Sequence, residues 1–299
     1  STFNLNLYLN KPMNIVMHIE CIPISILKIP QEYTKFIDNL PDSTKQFRNA
    51  FWISTTARFF YIESLMELFK LNNVYHIEND VMIYENLQDI PVDKNKLYMV
   101  KDSHDRVIPS ILFIPDCSHL NRLNVHMLRK LTDSQNLMND MQLLGNYSAN
   151  DIAYFPFDFS NDSSFIMDGA AIGQFVGGID PRNIPEYNNK NEQEQRLLQI
   201  NNPTDGFINE TCTFKPNTIT IFKKDFHLNN VNVPLELFYG QQENGNNIQL
   251  KQINNLHIHS KQLYQFSSLN NLKFKDLISG DRIVSLCDFV LLTQDIFEY

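Results

Sequence analysis

The chain has 299 residues, of which 43% are hydrophobic and 20% are charged. This composition excludes a disordered chain and a coiled coil, because it supplies enough apolar side chains for a packed core. Its 34 acidic residues outnumber its 25 lysines and arginines, which gives a formal net charge of -9. An acidic chain offers no basic footprint for a phosphate backbone, so nucleic acid is not an expected partner.

The cysteines and the hydropathy pattern bear on location. Cys21, Cys117, Cys212 and Cys287 form no C-x-x-C pair, so neither a zinc ribbon nor a disulfide framework is indicated. No apolar run approaches the roughly 18 residues that a membrane span needs. We therefore expect a soluble protein of the cytoplasm or another reducing compartment, with no membrane span and no signal peptide.

The first part of the chain alternates predicted strands and helices. Residues 14–19 form an apolar run typical of a buried strand, and apolar side chains at helical spacing predict one helix from Asp42 to Lys70. Residues 71–73 end this helix. Residues 74–77 and 81–84 are then predicted strands on either side of an acidic turn. This alternation is typical of a parallel α/β sheet.

The later elements are less regular. Residues 161–250 are rich in glycine, proline and polar side chains, and we interpret them as an elaboration on a single domain spanning residues 1–299. The last segment, 272–292, is predicted to be helical. The remaining predicted strands are 97–100, 110–114, 152–155, 218–222 and 256–259, and the remaining predicted helices are 118–131 and 137–144.

The acidic turn carries the clearest chemical pattern. Glu78 and Asp80 directly follow a buried apolar strand, so they are expected at its carboxyl end, where ligands bind in open α/β sheets. Two carboxylates with open coordination positions suit Mg²⁺ or Mn²⁺ together with the phosphate oxygens of a nucleotide. A solvated turn between two strands is the alternative interpretation.

A second polar group lies near the end of the chain. His257 and His259 share one face of a predicted strand, and Lys261 follows on the same face. Neutral imidazoles suit a metal ion, and an ammonium suits phosphate oxygens. The alternative is an exposed strand face with polar side chains.

Taken in order, these residues resemble the glycogenin-type retaining glycosyltransferases (glycosyltransferase family 8). Residues 54–60, with Arg58, are similar to that family's A-x-x-R helix, and residues 74–81 resemble its strand ending in the metal-binding D-x-D, with Glu78 in place of the first Asp. Residues 109–114 resemble its N-S-G strand, Asp140-Met141 its D-Q pair, and 154–156 its Y-L-P segment. Residues 255–261 resemble its C-terminal His and Lys element.

The resemblance implies a GT-A fold: an α/β/α sandwich around a mixed, mostly parallel sheet. It implies a metal-dependent transferase that uses a nucleotide-diphosphate sugar, with a UDP-sugar favoured, and a glycan, protein or other hydroxyl acceptor. The implied cofactor is Mn²⁺ or Mg²⁺. The implied roles are metal binding by Glu78, Asp80 and one of His257 and His259, donor binding by Arg58 and Ser110, and diphosphate binding by Lys261. Asp140 is implied as a catalytic residue that contacts the donor sugar.

This chain also departs from the family pattern. Only Ser110 remains of the N-S-G, Met141 replaces the Gln of D-Q, and the K-P-W ending is absent, so neither the donor sugar nor the stereochemical course is implied. Residues 165–180 have no counterpart in the family. Their glycines permit close approach to a ligand, and Asp168 is the candidate general base for an acceptor hydroxyl.

Two other function classes stay open from the sequence. A sugar-phosphate nucleotidyltransferase shares a nucleotide-binding core and acidic ligands, but residues 20–35 lack the glycine-rich basic loop that such an enzyme usually needs. A non-catalytic module of the same fold that binds glycans or nucleotides is the third possibility. Metal-dependent binding of a nucleoside diphosphate separates a glycan-only module from the two enzymes.

Overall fold

A computed structural model describes residues 22–46, 50–102, 106–134, 138–158, 162–173 and 251–258. It also describes the strand backbones at 220–224, 237–242, 248–250, 283–286 and 289–292. The predicted strand at 14–19 lies outside these residues. No helix in the described ranges is long and apolar enough to cross a membrane.

The described elements alternate between helices and strands at first and are mostly strands later. The helices are α1 (Gln31–Asp38), α2 (Asp42–Gln46), α3 (Phe51–Phe69), α4 (Cys117–Ser134) and α5 (Asp140–Gly145). The strands are β1 (Val74–Ile77), β2 (Val81–Ile83), β3 (Leu97–Lys101), β4 (Val107–Ile114), β5 (Ile152–Tyr154), β6 (Phe165–Met167), β7 (Thr220–Lys224), β8 (Leu237–Gln242), β9 (Ile248–His257), β10 (Ile283–Leu286) and β11 (Phe289–Leu292).

Contacts divide the chain into two compact units. The first, here the α/β unit, comprises the described residues of Ile15–Ile77 and Pro91–Tyr154. The second, here the β unit, comprises the described residues of Glu78–Ile90 and Phe155–Tyr299. The single domain with an elaboration at 161–250 stays a prediction from sequence.

The α/β unit is built on a four-stranded sheet in the order β1-β4-β3-β5. All eight residues of β4 are buried, which is typical of a central strand covered on both faces. Its core is apolar and includes side chains from α3, α4 and α5 as well as from the sheet: Phe59, Phe60, Met66, Leu97, Met99, Leu112, Ile114, Leu120, Leu123, Met127, Leu131, Leu143 and Leu144.

The β unit contains a seven-stranded sheet. Six strands follow the order β10-β11-β7-β8-β9-β2, and β6 pairs with β9 in parallel. The long strand β9 is therefore the element that links the early β2 to the later strands. This places residues near position 80 next to residues near position 257.

The prediction of an α/β fold with mixed sheets is confirmed, but the prediction of mostly parallel pairing is wrong. Only β3 with β5 and β6 with β9 are parallel among the described pairings, and the other seven are antiparallel. For β3 with β4, β8 with β9 and β10 with β11, the physical reason is the short connection between the two strands. A parallel pair needs a crossover of about a dozen residues or more.

Two helix predictions also need correction. The single helix predicted for 42–70 is replaced by α2 and α3, and Ala50, with φ of 61° in the left-handed region, precedes α3. Residues 47–49 lie outside the described residues. The helical region predicted for 272–292 contains β10 and β11 instead, because β-branched and aromatic residues such as Val284 and Phe289 favour a pleated backbone.

The core of the α/β unit predicts a contrast between two residues of α4. Leu123 is fully buried, whereas Val125 is 58% exposed. Leu123→Ala is expected to lower the free energy of unfolding by about 2–5 kcal/mol, because it leaves a cavity. Val125→Ala is expected to change it by less than about 0.5 kcal/mol. Urea unfolding of both variants checks this, and equal losses would contradict the described packing.

Candidate metal centre

Strand pairing in the β unit brings the acidic turn to the end of β9. Val81 lies opposite His257 in the antiparallel pair of β2 and β9. The Ile258 N–H then donates to the Asp80 carbonyl oxygen at 2.8 Å, which extends the pairing by one residue into the turn. The turn itself is closed by the Val81 N–H, which donates to the Glu78 carbonyl at 3.2 Å. Backbone bonds thus fix Asp80 beside His257.

The side chains of Glu78, Asp80 and His257 converge in this corner. His257 Nε2 lies 3.1 Å from Asp80 Oδ2 and 3.4 Å from Glu78 Oε2. One ligand atom from each of the three residues lies within 4.8 Å of the others. The Asp80 and His257 side chains are less than 10% exposed, whereas that of Glu78 is 17% exposed. Glu78 therefore marks the side of the cluster that solvent reaches.

The orientation of the His257 ring is set by its other nitrogen. Nδ1 lies 2.9 Å from the Gly169 carbonyl oxygen, and a carbonyl only accepts, so Nδ1 carries a hydrogen and donates. Nε2 is left to face the two carboxylates. A lone pair on Nε2 would repel their oxygens, so this nitrogen needs either a proton or a metal ion.

The titration of His257 reflects the same surroundings. Burial lowers its pKa, but the hydrogen bond to Asp80 and the charges of Asp80 and Glu78 outweigh burial and raise the pKa to about 9. Without a metal, the imidazole is therefore protonated at neutral pH, and its positive charge offsets part of the negative charge of the two carboxylates.

The three donors fit a divalent cation. Two carboxylate oxygens and an imidazole nitrogen held by a second hydrogen bond are a usual donor set for Mn²⁺ and related ions. In a second group, formed by Glu63, Glu67 and Cys117 in the α/β unit, one ligand atom from each residue also lies within 4.8 Å of the others. There both Glu63 carboxylate oxygens already accept hydrogen bonds, from the Asn121 and Asn124 side chains at 2.6 Å each. The cluster at Glu78 is thus the better candidate.

The α/β unit contains another predicted pair, Arg58 and Asp140. Arg58 Nη2 lies 2.5 Å from Asp140 Oδ2, and the Met141 N–H donates to Asp140 Oδ1 at 2.9 Å. Asp140 is the first residue of α5, where Asn139 and Gln142 form a capping box. The structure therefore brings two predicted donor-contacting residues into one ion pair across 82 positions of sequence.

Other predicted site residues have different outcomes. Ser110 is fully buried within β4, so its side chain has no exposed surface for the predicted donor contact, because β4 is covered on both faces. His259 and Lys261 lie outside the described residues, and their roles stay predictions. Of the two predicted histidines, His257 is the one that the described structure brings to the carboxylates.

The surroundings of Asp168 do not fit the general base expected from the sequence. Its carboxylate is 2% exposed and accepts hydrogen bonds from four backbone N–H groups. Two donors reach each oxygen, so no lone-pair position is left to take a proton from an acceptor. The sequence signal that fits this arrangement is the run of small residues after Asp168, which lets nearby backbone N–H groups reach its side chain.

No protein-family model, no curated protein and no solved structure matches this chain.

The pKa of His257 predicts a pH dependence of the metal-free protein. Because the folded-state pKa of about 9 exceeds the ordinary histidine pKa of 6.5, charged His257 stabilises the fold below about pH 6.5 and loses this effect as pH rises through 9. The contribution is on the order of 3 kcal/mol.

The measurement is urea unfolding of wild type and His257→Gln in EDTA between pH 6 and 10. The stability advantage of wild type over the variant is expected to shrink as pH rises. A difference that stays constant with pH would mean that His257 is not held charged by these carboxylates.

Proposed function

We propose that this chain is a metal-dependent glycosyltransferase of the GT-A type, which transfers a sugar from a nucleotide-diphosphate donor to a hydroxyl acceptor. The observation that carries the proposal is the convergence of Glu78, Asp80 and His257. An E-x-D pair after a strand and a histidine 177 positions later match the order of metal ligands that the family resemblance implies.

The charge of the cluster supports a cation-dependent substrate. Two carboxylates alone would repel a diphosphate, and the chain as a whole is acidic, with a net charge of -9. A divalent cation held by Glu78, Asp80 and His257 would neutralise the diphosphate as it departs. The donor is therefore expected to bind well only with the metal, and UDP-sugars with Mn²⁺ are the favoured combination.

Further contacts of the described residues support the proposal. The partial exposure of Glu78 gives the diphosphate an approach to the cluster, and the backbone pairing of Asp80 with Ile258 keeps its carboxylate in place. In the α/β unit, the ion pair with Arg58 holds the Asp140 carboxylate in one orientation. The predicted contact of Arg58 and Asp140 with the donor sugar is part of this proposal and rests on the family resemblance.

The proposal predicts that nucleotide binding requires both Mn²⁺ and Asp80. UDP, GDP, CDP and dTDP are each added to the protein with and without Mn²⁺, and the melting temperature is recorded. We expect one nucleotide to raise it only when Mn²⁺ is present, because a ligand that binds the native state alone stabilises that state. In Asp80→Asn this increase is expected to vanish, together with sugar transfer.

The matched control is Glu85→Gln, which removes a carboxylate of the same unit that accepts from the Gln252 side chain instead of His257. This variant is expected to keep the Mn²⁺-dependent increase. Loss of the increase in both variants would point to a general destabilisation. No increase with any nucleotide in the wild type would overturn the proposed function in favour of a module without nucleotide binding.

A further inference from the structure

We propose that Asp168 is a positioning residue for the metal centre: through the loop at 168–173 it fixes the His257 ring so that Nε2 faces Glu78 and Asp80. The expected effect of Asp168 on metal affinity rests on the proposed function. Its effect on the orientation of the His257 ring does not, because the contacts that hold the ring are present without any ion.

The first step is the loop itself. Asp168 Oδ1 accepts from the N–H groups of Ala170 and Ile172 at 3.1 and 2.9 Å, and Oδ2 accepts from that of Gly173 at 2.9 Å. One buried carboxylate thus holds a short loop closed around itself. Removing its charge would leave buried N–H groups without an acceptor, which is costly.

The second step joins the loop to His257 at three points. The His257 N–H donates to Asp168 Oδ2 at 3.1 Å, and the ring Nδ1–H donates to the Gly169 carbonyl at 2.9 Å. Gly173 packs so close to the His257 main chain that an added Cβ would lie 1.9 Å from its carbonyl oxygen. The loop therefore determines both where the His257 backbone lies and which way its ring turns.

The third step fixes the register of the loop on β9. The Asp168 N–H donates to Asn255 Oδ1, and Asn255 Nδ2 donates to the Asp168 carbonyl, both at 2.9 Å. The parallel pair of β6 and β9 shifts register between Ile166 and Met167, so that Met167 lies opposite Asn255. Because of this shift, Asp168 lies beside the end of β9, where His257 is located.

These contacts predict the effect of replacing the carboxylate. In Asp168→Asn the amide accepts at only one of its two ends, so two of the four backbone donors lose their partner. The loop and the Gly169 carbonyl are then expected to move away from Nδ1. Loss of such an outer partner typically weakens metal binding by about 10-fold to 100-fold.

The experiment combines two measurements on wild type, Asp168→Asn and Asp116→Asn. Asp116 is the matched control, because its carboxylate also accepts a backbone N–H, that of His119, but lies in the α/β unit. Protein with ¹⁵N-labelled histidine reports the His257 Nδ1–H in the metal-free state, with His257→Gln used for assignment. Electron paramagnetic resonance of free Mn²⁺ gives the dissociation constant without nucleotide.

We expect the His257 Nδ1–H signal to be shifted or broadened and Mn²⁺ binding to be weakened at least about 10-fold in Asp168→Asn, with neither change in Asp116→Asn. A folded Asp168→Asn with the wild-type signal and affinity would overturn the proposal. If Asp168→Asn does not fold, Asn255→Ala decides by the same two readouts, since it removes the two side-chain hydrogen bonds that hold Asp168 on β9 without altering charge.

Failure of the proposed function has a different signature. In that case no nucleotide would raise the melting temperature of wild type with Mn²⁺, while Mn²⁺ binding and the Nδ1–H signal would still report whether Asp168 sets the ring.

Discussion

His257 Nε2 lies 3.1 Å from Asp80 Oδ2 in a largely buried corner. The arrangement of the surrounding groups depends on this contact. With Nδ1 committed to the Gly169 carbonyl, the facing nitrogen must present positive charge to two carboxylates. A proton meets this requirement in the metal-free protein, and a divalent cation meets it in the proposed enzyme. The two are alternatives at one position, so metal binding displaces a proton.

Because a proton and a metal ion alternate at one position, the surrounding backbone must hold the three side chains in place. The β2–β9 pairing fixes Asp80 against Ile258, and the loop held by Asp168 fixes the His257 ring. Flexible acidic side chains would rearrange around any cation. Ligands held by backbone hydrogen bonds favour one geometry, which a transferase needs if the diphosphate is to be bound in one orientation.

Local sequence patterns predicted the elements better than their pairing. Apolar runs and helical spacing identified β1, β3, β4 and α4, because these signals arise from near neighbours. The direction of each pairing depends on residues far apart, as with Val81 and His257, and parallel pairing was wrongly expected. The sequence also could not distinguish His257 from His259 as the metal ligand, since both share one face of the predicted strand. For Asp168 the sequence suggested a general base, whereas its partners are backbone N–H groups that donate to it, and such partners leave little trace in side-chain motifs.

We propose that His257 is a metal ligand together with Glu78 and Asp80. Pulsed electron paramagnetic resonance of the Mn²⁺-loaded protein tests it most directly, because a coordinated imidazole adds a ¹⁴N coupling to the manganese signal. We expect this coupling in wild type and its loss in His257→Gln. Bound Mn²⁺ without a ¹⁴N coupling, or a coupling that persists in His257→Gln, would contradict it.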